Sequence, residues 1–484
     1  IALAVTALVV LAADLSLRGS AKQLVNPVAG IGTVVAIALT LRLWGEERST
    51  FGGTFVVDSF ALSFKLLFLG TLLAVLGISW RFFAEGRYFQ GEYYFLLVTA
   101  FLGMVLMPSA RDLLTLFVAL ETVSIPAFVM VGLRKRDLYS SEASLKFFLI
   151  GVLSVAIMLM GMSFVYGFTG TTSMTGIAQA IAATQTPDAE TPLLLAAVLL
   201  VIVGFGFKIS AVPFHFWAPD TYAGAPMPVT AMLAVASKAA GFVGLTLVAF
   251  VAFGPLALAW APVLGIVAVA TMTVGNLGAL QQRDIVRLLA FSSVAQAGYI
   301  LLPFGVARHS TDALSTAVNQ SAFRAVLLYL VAYAVMNVGA FAVVLGVARR
   351  TSLRATADYA GLGSRSPLLA MGMTVFLLSL GGAPLTVGLW AKFAILEALT
   401  VDVTGFGLFL AAGLVVNSVI AFFYYLRLIR TMWMEAPAAD APALQPGFNL
   451  SLVVAGLAGL TLLLGVLPAL VTETTSVVTL ALGR

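Results

Sequence analysis

Long runs of apolar residues, separated by short polar stretches, dominate the chain from one end to the other. Runs of about 20 apolar residues predict helices that cross a membrane. The pattern predicts fourteen such helices, near residues 1–17, 27–44, 59–80, 92–108, 112–133, 145–168, 192–212, 228–253, 256–280, 285–305, 321–348, 366–400, 405–432 and 449–475. The longest stretch between them, 169–191, is too short for an inserted soluble domain. The fold class expected is therefore an all-α polytopic membrane protein.

The composition excludes several other classes of protein. Of 484 residues, 61% are hydrophobic and 10% are charged, whereas soluble domains have roughly 25% charged residues. So few charges cannot cover the surface of a soluble enzyme, a nucleic-acid-binding protein or a disordered scaffold. The chain has no cysteine and two histidines, which leaves no thiol for an iron–sulfur cluster and too few imidazoles for a histidine-based metal site.

Lysine and arginine are concentrated in the loops that follow odd-numbered predicted helices, as at Arg134, Lys135 and Arg136. Cytoplasmic loops carry an excess of these residues in membrane proteins. The odd-numbered loops are therefore predicted to be cytoplasmic. An even number of helices then places both termini on the outside.

A few charged residues fall inside the predicted membrane helices, where a charge is costly and usually functional. Glu121, Lys208 and Lys238 lie too deep to reach the surface easily. Such a lysine can bind and release a proton when its partner moves, which a permanently charged arginine cannot do. Lys65 and Lys146 lie nearer helix ends, so a structural or surface-reaching position is the alternative there, and Glu142 precedes Lys146 at the spacing of a simple ion pair.

Two predicted helices contain a proline beside small residues, followed by a tryptophan. These are the seventh helix, which runs into the motif at 209–217, and the twelfth, which contains the motif at 381–392. A proline removes a backbone hydrogen bond and opens the helix, and a plain structural kink is the alternative to a functional break. The two helices are five apart, so they cross in opposite directions. Paired breaks of this kind indicate an inverted repeat with ion sites near the middle of the membrane.

The repeat interpretation divides the chain into four segments. Residues 1–91 form flanking helices 1–3, and residues 92–253 form the first repeat, of helices 4–8. Residues 254–435 form the inverted second repeat, of helices 9–13. Residues 436–484 hold a Pro- and Ala-rich linker at 436–446 and helix 14.

Several motifs resemble those of the antiporter-like subunits of respiratory complex I, the proton-translocating NADH:quinone oxidoreductase. The longest are GFKISAVPFHFWAPD at 206–220, APMPVT at 225–230 and SKAAGF at 237–242, with further similarity at 276–282, 287–293, 298–299, 358–363, 417–418 and 424–425. The resemblance covers nearly the whole chain. The motif around Lys238 is most similar to the N-type subunits, and Lys392 stands where M-type subunits have a glutamate.

The resemblance implies roles for individual residues. Glu121 and Lys208 form a pair that modulates one proton site, His215 and Lys238 continue a polar axis across the membrane, and Lys392 ends it. For His215, capping of the helix break is the alternative. Gln296 stands where the family often has a histidine.

Glutamine cannot store a proton, but Gln296 can hold a water between Lys238 and Lys392. A hydrogen bond to a neighbouring helix, with no part in proton transfer, is the alternative. The predicted site consists of six residues: Glu121, Lys208, His215, Lys238, Gln296 and Lys392.

By resemblance, the chain moves protons in the bacterial inner membrane while NADH, FMN, iron–sulfur clusters and quinone bind to partner subunits. The expected partners are the M subunit, the small K subunit, the lateral helix of the L subunit and lipids, with no nucleic acid. No cofactor is expected in this chain. Two other functions stay open: a subunit of a multisubunit cation/proton antiporter, and a structural membrane subunit whose buried charges only hold helices together.

Overall fold

The computed structural model describes residues 1–85, 90–183, 191–309, 312–351, 354–439, 441, 444, 446–470 and 472–473. These residues are almost entirely helical. The helices of the first half are α1 (Ala2–Ser16), α2 (Val25–Arg42), α3 (Ser59–Glu85), α4 (Gln90–Leu106), α5 (Leu113–Val131), α6 (Leu138–Thr169), α7 (Met174–Ala183), α8 (Thr191–Ile209), α9 (Trp217–Gly224), α10 (Met227–Met232) and α11 (Lys238–Thr246).

The second half continues in the same way. Its helices are α12 (Ala257–Leu280), α13 (Ile285–Leu301), α14 (Ala313–Thr351), α15 (Leu362–Arg365), α16 (Pro367–Gly381), α17 (Val387–Thr400), α18 (Gly405–Met434) and α19 (Phe448–Val466). A wider helical turn at Leu233–Ser237 joins α10 to α11, and a second at Leu247–Ala252 extends α11, so that Met227–Ala252 is one continuous span. The predicted all-α membrane fold is confirmed.

Within the described residues, twelve helices are long and apolar enough to cross a membrane. The other two predicted spans correspond to the short helix α1 and to the interrupted pair α16–α17. The total of fourteen crossings therefore stays a prediction. Helix α19 ends at Val466, before the predicted limit of 475, and residues 474–484 lie outside the described part of the chain.

The structure adds two features to the predicted loops. Strands β1 (Arg48–Thr50) and β2 (Phe55–Val57) form an antiparallel hairpin, with Arg48 opposite Val57. Helix α7 occupies part of the stretch 169–191, whose residues 184–190 lie outside the described part. Both features are short, and neither inserts a soluble domain.

Local sequence sets the helix ends that border the interior. Asp112 accepts hydrogen bonds from the backbone N–H groups of Leu114 and Thr115 at the start of α5. Asp137 and Asp284 cap α6 and α13 in the same way. These caps satisfy amides that have no partner within the helix, so each carboxylate fixes where its helix begins.

The centre of the molecule is formed by the continuous span Met227–Ala252, all of which is buried, together with α13 and α14. Helices α2, α6 and α18 lie at the periphery, with 33% of their most apolar window buried. Large apolar side chains such as Leu153, Phe409 and Phe423 are exposed on these outer helices. A surface of this kind fits contact with lipid tails or neighbouring membrane subunits rather than water.

Both predicted helix breaks are confirmed. Helix α8 ends at Ile209, the backbone of Ser210 turns into the left-handed region, and the helical path resumes at Trp217. Helix α16 ends at Gly381, followed by Gly382 with φ of 91°, and α17 begins at Val387. The breaks divide each span into two half-helices. The non-helical backbone between them is buried at Ser210 and exposed at Phe216 and Leu385.

Candidate functional site

Lys208 lies in the last turn of α8, directly before the first break, and is 6% exposed. Its Nζ donates a hydrogen bond to Ser124 Oγ at 2.5 Å. The Ser124 hydroxyl lies 3.2 Å from Glu121 Oε1 and 2.7 Å from the carbonyl oxygen of Leu120. The Ser124 hydroxyl therefore links Glu121 to Lys208 by hydrogen bonds. The predicted Glu121–Lys208 pair is brought together, with Ser124 between the two charges.

His215 lies within the first break, between Pro213 and Trp217. Its backbone carbonyl accepts a hydrogen bond from Ala218 N at 3.0 Å. This backbone contact fits the capping role, and a proton-carrying role of the imidazole ring stays a prediction.

Lys238 lies deeper still, at 1% exposure, in the fully buried central span. Its Nζ donates to both the carbonyl oxygen of Ser293, at 2.8 Å, and the Ser293 hydroxyl, at 2.6 Å. That hydroxyl is 2.8 Å from the hydroxyl of Tyr333, which accepts from Asn337 Nδ2 at 3.0 Å. Among the described residues no carboxylate pairs with Lys238, so neutral oxygens alone hold this cation.

Gln296 is fully buried on the same helix as Ser293. Its Oε1 accepts a hydrogen bond from the Tyr329 hydroxyl. Its Nε2 donates to the carbonyl oxygen of Leu380 at 3.2 Å and to the Tyr425 hydroxyl at 3.3 Å. The amide therefore joins α13 to the end of α16, which fits the alternative of a helix-to-helix bond. The predicted water between Lys238 and Lys392 stays a prediction.

Lys392 follows the second break and is 7% exposed. Its Nζ donates to the carbonyl oxygen of Gly381 at 2.7 Å and to Ser418 Oγ at 3.1 Å. It also lies 4.6 Å from the centre of the Tyr299 ring, a favourable position for a cation. The end of α16, opened by the break, thus supplies the carbonyl that holds Lys392.

Further polar side chains are hydrogen-bonded to one another beside Gln296. The hydroxyl oxygens of Tyr425 and Ser292 are 2.5 Å apart. Tyr424 donates to Asn276 Oδ1 at 3.0 Å, and Asn276 Nδ2 donates to Asn417 Oδ1 at 3.1 Å. Hydroxyl and amide groups of this kind can pass hydrogen bonds along a chain.

Lys65 and Lys146 take no part in these hydrogen bonds. The Nζ of Lys65 is 5.1 Å from the centre of the Phe55 ring, near the ion pair between Arg111 and Asp58. Lys146 pairs with Glu142 at 2.7 Å, which confirms the predicted i,i+4 pair, and with Asp220 at 2.8 Å. Both positions agree with the structural alternative.

Asp220 also pairs with Arg287 at 2.5 Å, so it joins α9 to α6 and α13. This cluster lies at a cavity of 810 Å³ that is also lined by Arg134, Asp284 and Arg354. These residues belong to, or adjoin, loops predicted to be cytoplasmic. The cavity is therefore a water-accessible region on the predicted cytoplasmic side.

The chemistry of the site follows from the buried cations. Lys208, Lys238 and Lys392 each donate to hydroxyl or carbonyl oxygens. A neutral acceptor lets lysine lose its proton without leaving an unpaired buried anion behind. A site of this type suits storage and transfer of protons rather than bond-breaking chemistry.

The comparisons with known proteins agree with this geometry. The family described as NADH:quinone oxidoreductase/Mrp antiporter, transmembrane, matches residues 110–421. NADH-quinone oxidoreductase subunit N 2 of Streptomyces griseus is 44% identical over 88% of this chain and 79% of its own length. The chain belongs to the NADH-quinone oxidoreductase subunit N family. Subunit N 2 of Roseiflexus castenholzii is 39% identical, over 93% of this chain and 89% of its own.

Solved structures show the same fold. A chain of respiratory complex I from Thermus thermophilus is 30% identical, covers 98% of both chains and has a TM-score of 0.80. A chain of the Mrp complex from Dietzia is 21% identical, covers 98% of this chain and 95% of its own, and has a TM-score of 0.83. At that identity, the Mrp likeness concerns the fold alone.

Membership of the subunit N family confirms the predicted family and the predicted class of function, a membrane subunit of a proton-translocating oxidoreductase. The described residues contain no group of three or more His, Cys, Asp or Glu side chains that could hold a metal ion. The individual roles of Glu121, Lys208, His215, Lys238, Gln296 and Lys392 stay predictions.

Several side chains were not predicted as part of the site. Ser124, Ser293, Tyr329 and Ser418 bond directly to predicted residues, and Tyr333 and Asn337 extend the network from Ser293. A signal for three of them is present, because Tyr329, Tyr333 and Asn337 recur every four residues in the apolar middle of α14. That spacing puts them on one face of the helix.

Proposed function

We propose that this chain carries protons across the bacterial inner membrane as subunit N of an NADH:quinone oxidoreductase. Its relatives are named as subunits of that enzyme. The redox reaction itself takes place elsewhere, because NADH, FMN, the iron–sulfur clusters and quinone bind to partner subunits. The chain's own residues bind, hold and release protons.

The observation that carries the proposal is the lysine row, which is Lys208, Lys238 and Lys392 taken in chain order. Each of these buried Nζ groups donates to neutral oxygens. Lys208, Lys238 and Lys392 are 6%, 1% and 7% exposed. A purely structural role would pair each cation with a carboxylate, since a buried charge left without compensation is strongly destabilising. Two of these lysines have no such partner among the described residues, which favours proton transfer.

The proposed order of transfer follows the row. Glu121 and Ser124 control how readily Lys208 keeps its proton. His215 and Lys238 occupy the interior, and Gln296 guides the connection to Lys392 at the second break. Each lysine accepts a proton at Nζ and passes it on when its hydrogen-bond partners shift, so the lysine returns to its neutral form.

The proposed organisation has two inverted five-helix repeats, 92–253 and 254–435, between flanking segments 1–91 and 436–484. The paired breaks after Ile209 and Gly381 support this organisation. So do the positions of Lys208 at the first break and Lys392 at the second. Both termini lie outside in this arrangement, and the linker 436–446 is cytoplasmic.

This topology is open to a direct test because the chain has no cysteine. A single Ala438→Cys substitution should be labelled by a membrane-impermeant maleimide only after the cells are permeabilised. Labelling from outside intact cells would contradict the orientation. Position 440, in the middle of the linker, lies outside the described residues.

The neighbours proposed for this chain are the M subunit, the small K subunit, the lateral helix of the L subunit, and lipids. The exposed apolar side chains of α6 and α18, such as Leu153 and Phe423, support contacts within the membrane. The likeness to a chain of a whole complex I assembly supports partnership with other subunits of that enzyme.

The test of the proposed function is Lys208→Ala in the complete enzyme reconstituted in proteoliposomes. The complex should assemble, but proton pumping should fall by about tenfold or more, because positioned proton carriers contribute at least that much to rate. The matched control is Lys65→Ala, which removes a buried lysine outside the row. Normal pumping in an assembled Lys208→Ala complex would contradict the proposal.

The same purified complex distinguishes the proposed function from its two alternatives. An antiporter subunit that works without redox partners would purify without NADH-oxidising activity. A structural subunit would lose assembly, rather than pumping, when a lysine of the row is removed.

A further inference from the structure

One of the partners of Lys392 is an aromatic ring. Its Nζ lies 4.6 Å from the centre of the Tyr299 ring, within the distance of about 6 Å at which the negative face of a ring attracts a cation. The other cation–ring contacts among the described residues measure 5.1 to 5.9 Å, so this contact is the shortest of them. Both side chains are buried, and a buried interaction is screened little by salt.

The side chains around Tyr299 fix the position of its ring. The Tyr299 hydroxyl accepts a hydrogen bond from Asn276 Nδ2 at 3.4 Å and lies beside the Ser418 hydroxyl. The ring also stacks on that of Tyr329, with 6.3 Å between the ring centres and 22° between the planes. The ring face is therefore in place beside Lys392 whether or not the lysine carries a proton.

The first lysine of the row differs in this respect. Lys208 lies 5.7 Å from the centre of the Phe207 ring and 5.9 Å from that of Phe128. It also has the carboxylate of Glu121 nearby, whereas no carboxylate of the described residues acts on Lys392. The lysine with the closer ring is thus the one that lacks a counter-charge.

A ring face suits a lysine that has to hold a proton and then release it. The face attracts the charged ammonium group through its partial negative charge. When the lysine becomes neutral, the ring has no charge of its own that is left without a partner. A carboxylate in the same place would become an unpaired buried anion, which is strongly destabilising.

We propose that the face of the Tyr299 ring takes the place of a counter-charge for Lys392 and stabilises its charged state during proton transfer. This inference rests on the proposed function and deepens it, because it adds a residue to the second lysine site. Tyr299 is a positioning residue, since its ring acts on the charge of Lys392 and neither gains nor loses a proton. Its hydroxyl serves to hold the ring, through Asn276.

The first test compares Tyr299→Phe with Tyr299→Leu in the complete enzyme reconstituted in proteoliposomes. Phenylalanine keeps the ring face, so proton pumping should stay within about twofold of normal. Leucine is apolar but has no ring, so pumping should slow by about tenfold, as expected for the loss of a desolvated cation–ring contact. Equal defects in the two variants, or normal pumping by Tyr299→Leu, would overturn the proposal.

A graded test changes the charge of the ring face and keeps its shape. Phenylalanine with one, two or three fluorine atoms on the ring can be placed at position 299 by suppression of a stop codon. Each fluorine withdraws electrons and makes the face less negative, so it weakens the attraction for a cation. Pumping should fall with each added fluorine, to about tenfold below that of Tyr299→Phe. Equal rates throughout the series would overturn the proposal.

The matched control is the same fluorine series at Phe304. This side chain is also fully buried, and its ring packs against that of Phe250, with 5.3 Å between the centres. No lysine or arginine of the described residues lies over the Phe304 ring, so every member of this series should pump at the same rate. A graded fall at both positions would assign the effect at Tyr299 to packing rather than charge and would contradict the proposal.

The outcomes separate this inference from the proposed function. Slow pumping by Lys208→Ala together with equal rates throughout the fluorine series at position 299 would remove the role of Tyr299 and keep the proposed function. Normal pumping by an assembled Lys208→Ala complex would contradict the proposed function itself. The expected result is slow pumping by Lys208→Ala and a graded fall at position 299 but not at position 304.

Discussion

The two interrupted helices place their lysines on opposite sides of the break and give them different partners. Lys208 precedes the first break, and its Nζ contacts a hydroxyl that lies 3.2 Å from the carboxylate of Glu121. Lys392 follows the second break, and its Nζ contacts the carbonyl oxygen of Gly381 and the hydroxyl of Ser418. The first cation has a counter-charge nearby, whereas the second has only dipoles.

The difference indicates two ways to control a buried proton. A carboxylate stabilises the charged lysine until the carboxylate moves away. A carbonyl exposed by a helix break stabilises it more weakly, so release requires a smaller change. We infer that Lys208 is the regulated site and Lys392 the one that gives up its proton more readily.

The tryptophans of the two breaks also have different partners. Trp217 donates across its own break to the carbonyl oxygen of Phe207 in α8, at 3.2 Å, whereas Trp390 donates to that of Gly465 in α19, at 2.8 Å. At the second break, the backbone of Gly388 approaches so close to Ser379 that a Cβ would lie 1.7 Å from its carbonyl oxygen. Only glycine fits there, so the close approach of the two half-helices depends on it.

The largest effect should come from giving Lys392 the kind of partner that Lys208 has. Ser418→Asp introduces a carboxylate where the hydroxyl now lies 3.1 Å from Nζ. A buried ion pair should hold the lysine charged and slow pumping by about a hundredfold, since breaking such a pair costs several kcal/mol. Pumping by the assembled complex is the measurement, and Ser418→Asn, which has the same size but no charge, should be much milder.

The reciprocal change should have a smaller effect. Glu121→Gln removes the counter-charge near Lys208 and makes this site resemble that of Lys392, so pumping should slow by about tenfold. Glu121→Asp keeps the charge with a shorter reach and should be milder. If the Asp variant were worse than the Gln variant, geometry rather than charge would be the property that matters at this position.

The smallest effects are expected at Gln296, between the two lysine regions. Gln296→Leu removes the bonds to Tyr329 and Leu380 and should slow pumping by a few-fold, about the effect of one or two hydrogen bonds. Gln296→His should remain active, because imidazole also donates and accepts. A normal rate and proton-to-electron ratio in Gln296→Leu would leave Gln296 as a helix-to-helix bond only.

Much of this fold could be predicted because membrane helices are recognisable in a sequence as long apolar runs. The breaks were predictable because a proline beside small residues, followed by tryptophan, opens a helix at Val212–Pro213 and at Ala383–Pro384. The β-hairpin at 48–57 was missed, since its three-residue strands are too short to produce an alternating pattern.

The charged residues of the candidate site could be predicted from the sequence, but their uncharged hydrogen-bond partners could not. A lysine deep inside an apolar run is conspicuous, so Lys208 and Lys238 were found directly, whereas Lys392 was assigned to the site through the family resemblance. Serine and tyrosine are common in membrane helices, and which of them meets a lysine depends on helix rotation and packing. Ser124 illustrates this, because its position between Glu121 and Lys208 follows from how α5 faces α8.

The central claim is that these lysines work by releasing protons, and Lys392→Arg tests it most directly. Arginine keeps the positive charge and the hydrogen-bond donors but stays protonated. The matched control is Lys65→Arg, at a buried lysine outside the row. The account predicts that the Lys392→Arg complex assembles and pumps at least about tenfold more slowly, while the Lys65→Arg complex pumps normally. An assembled Lys392→Arg complex with a normal rate and a normal proton-to-electron ratio would contradict the account.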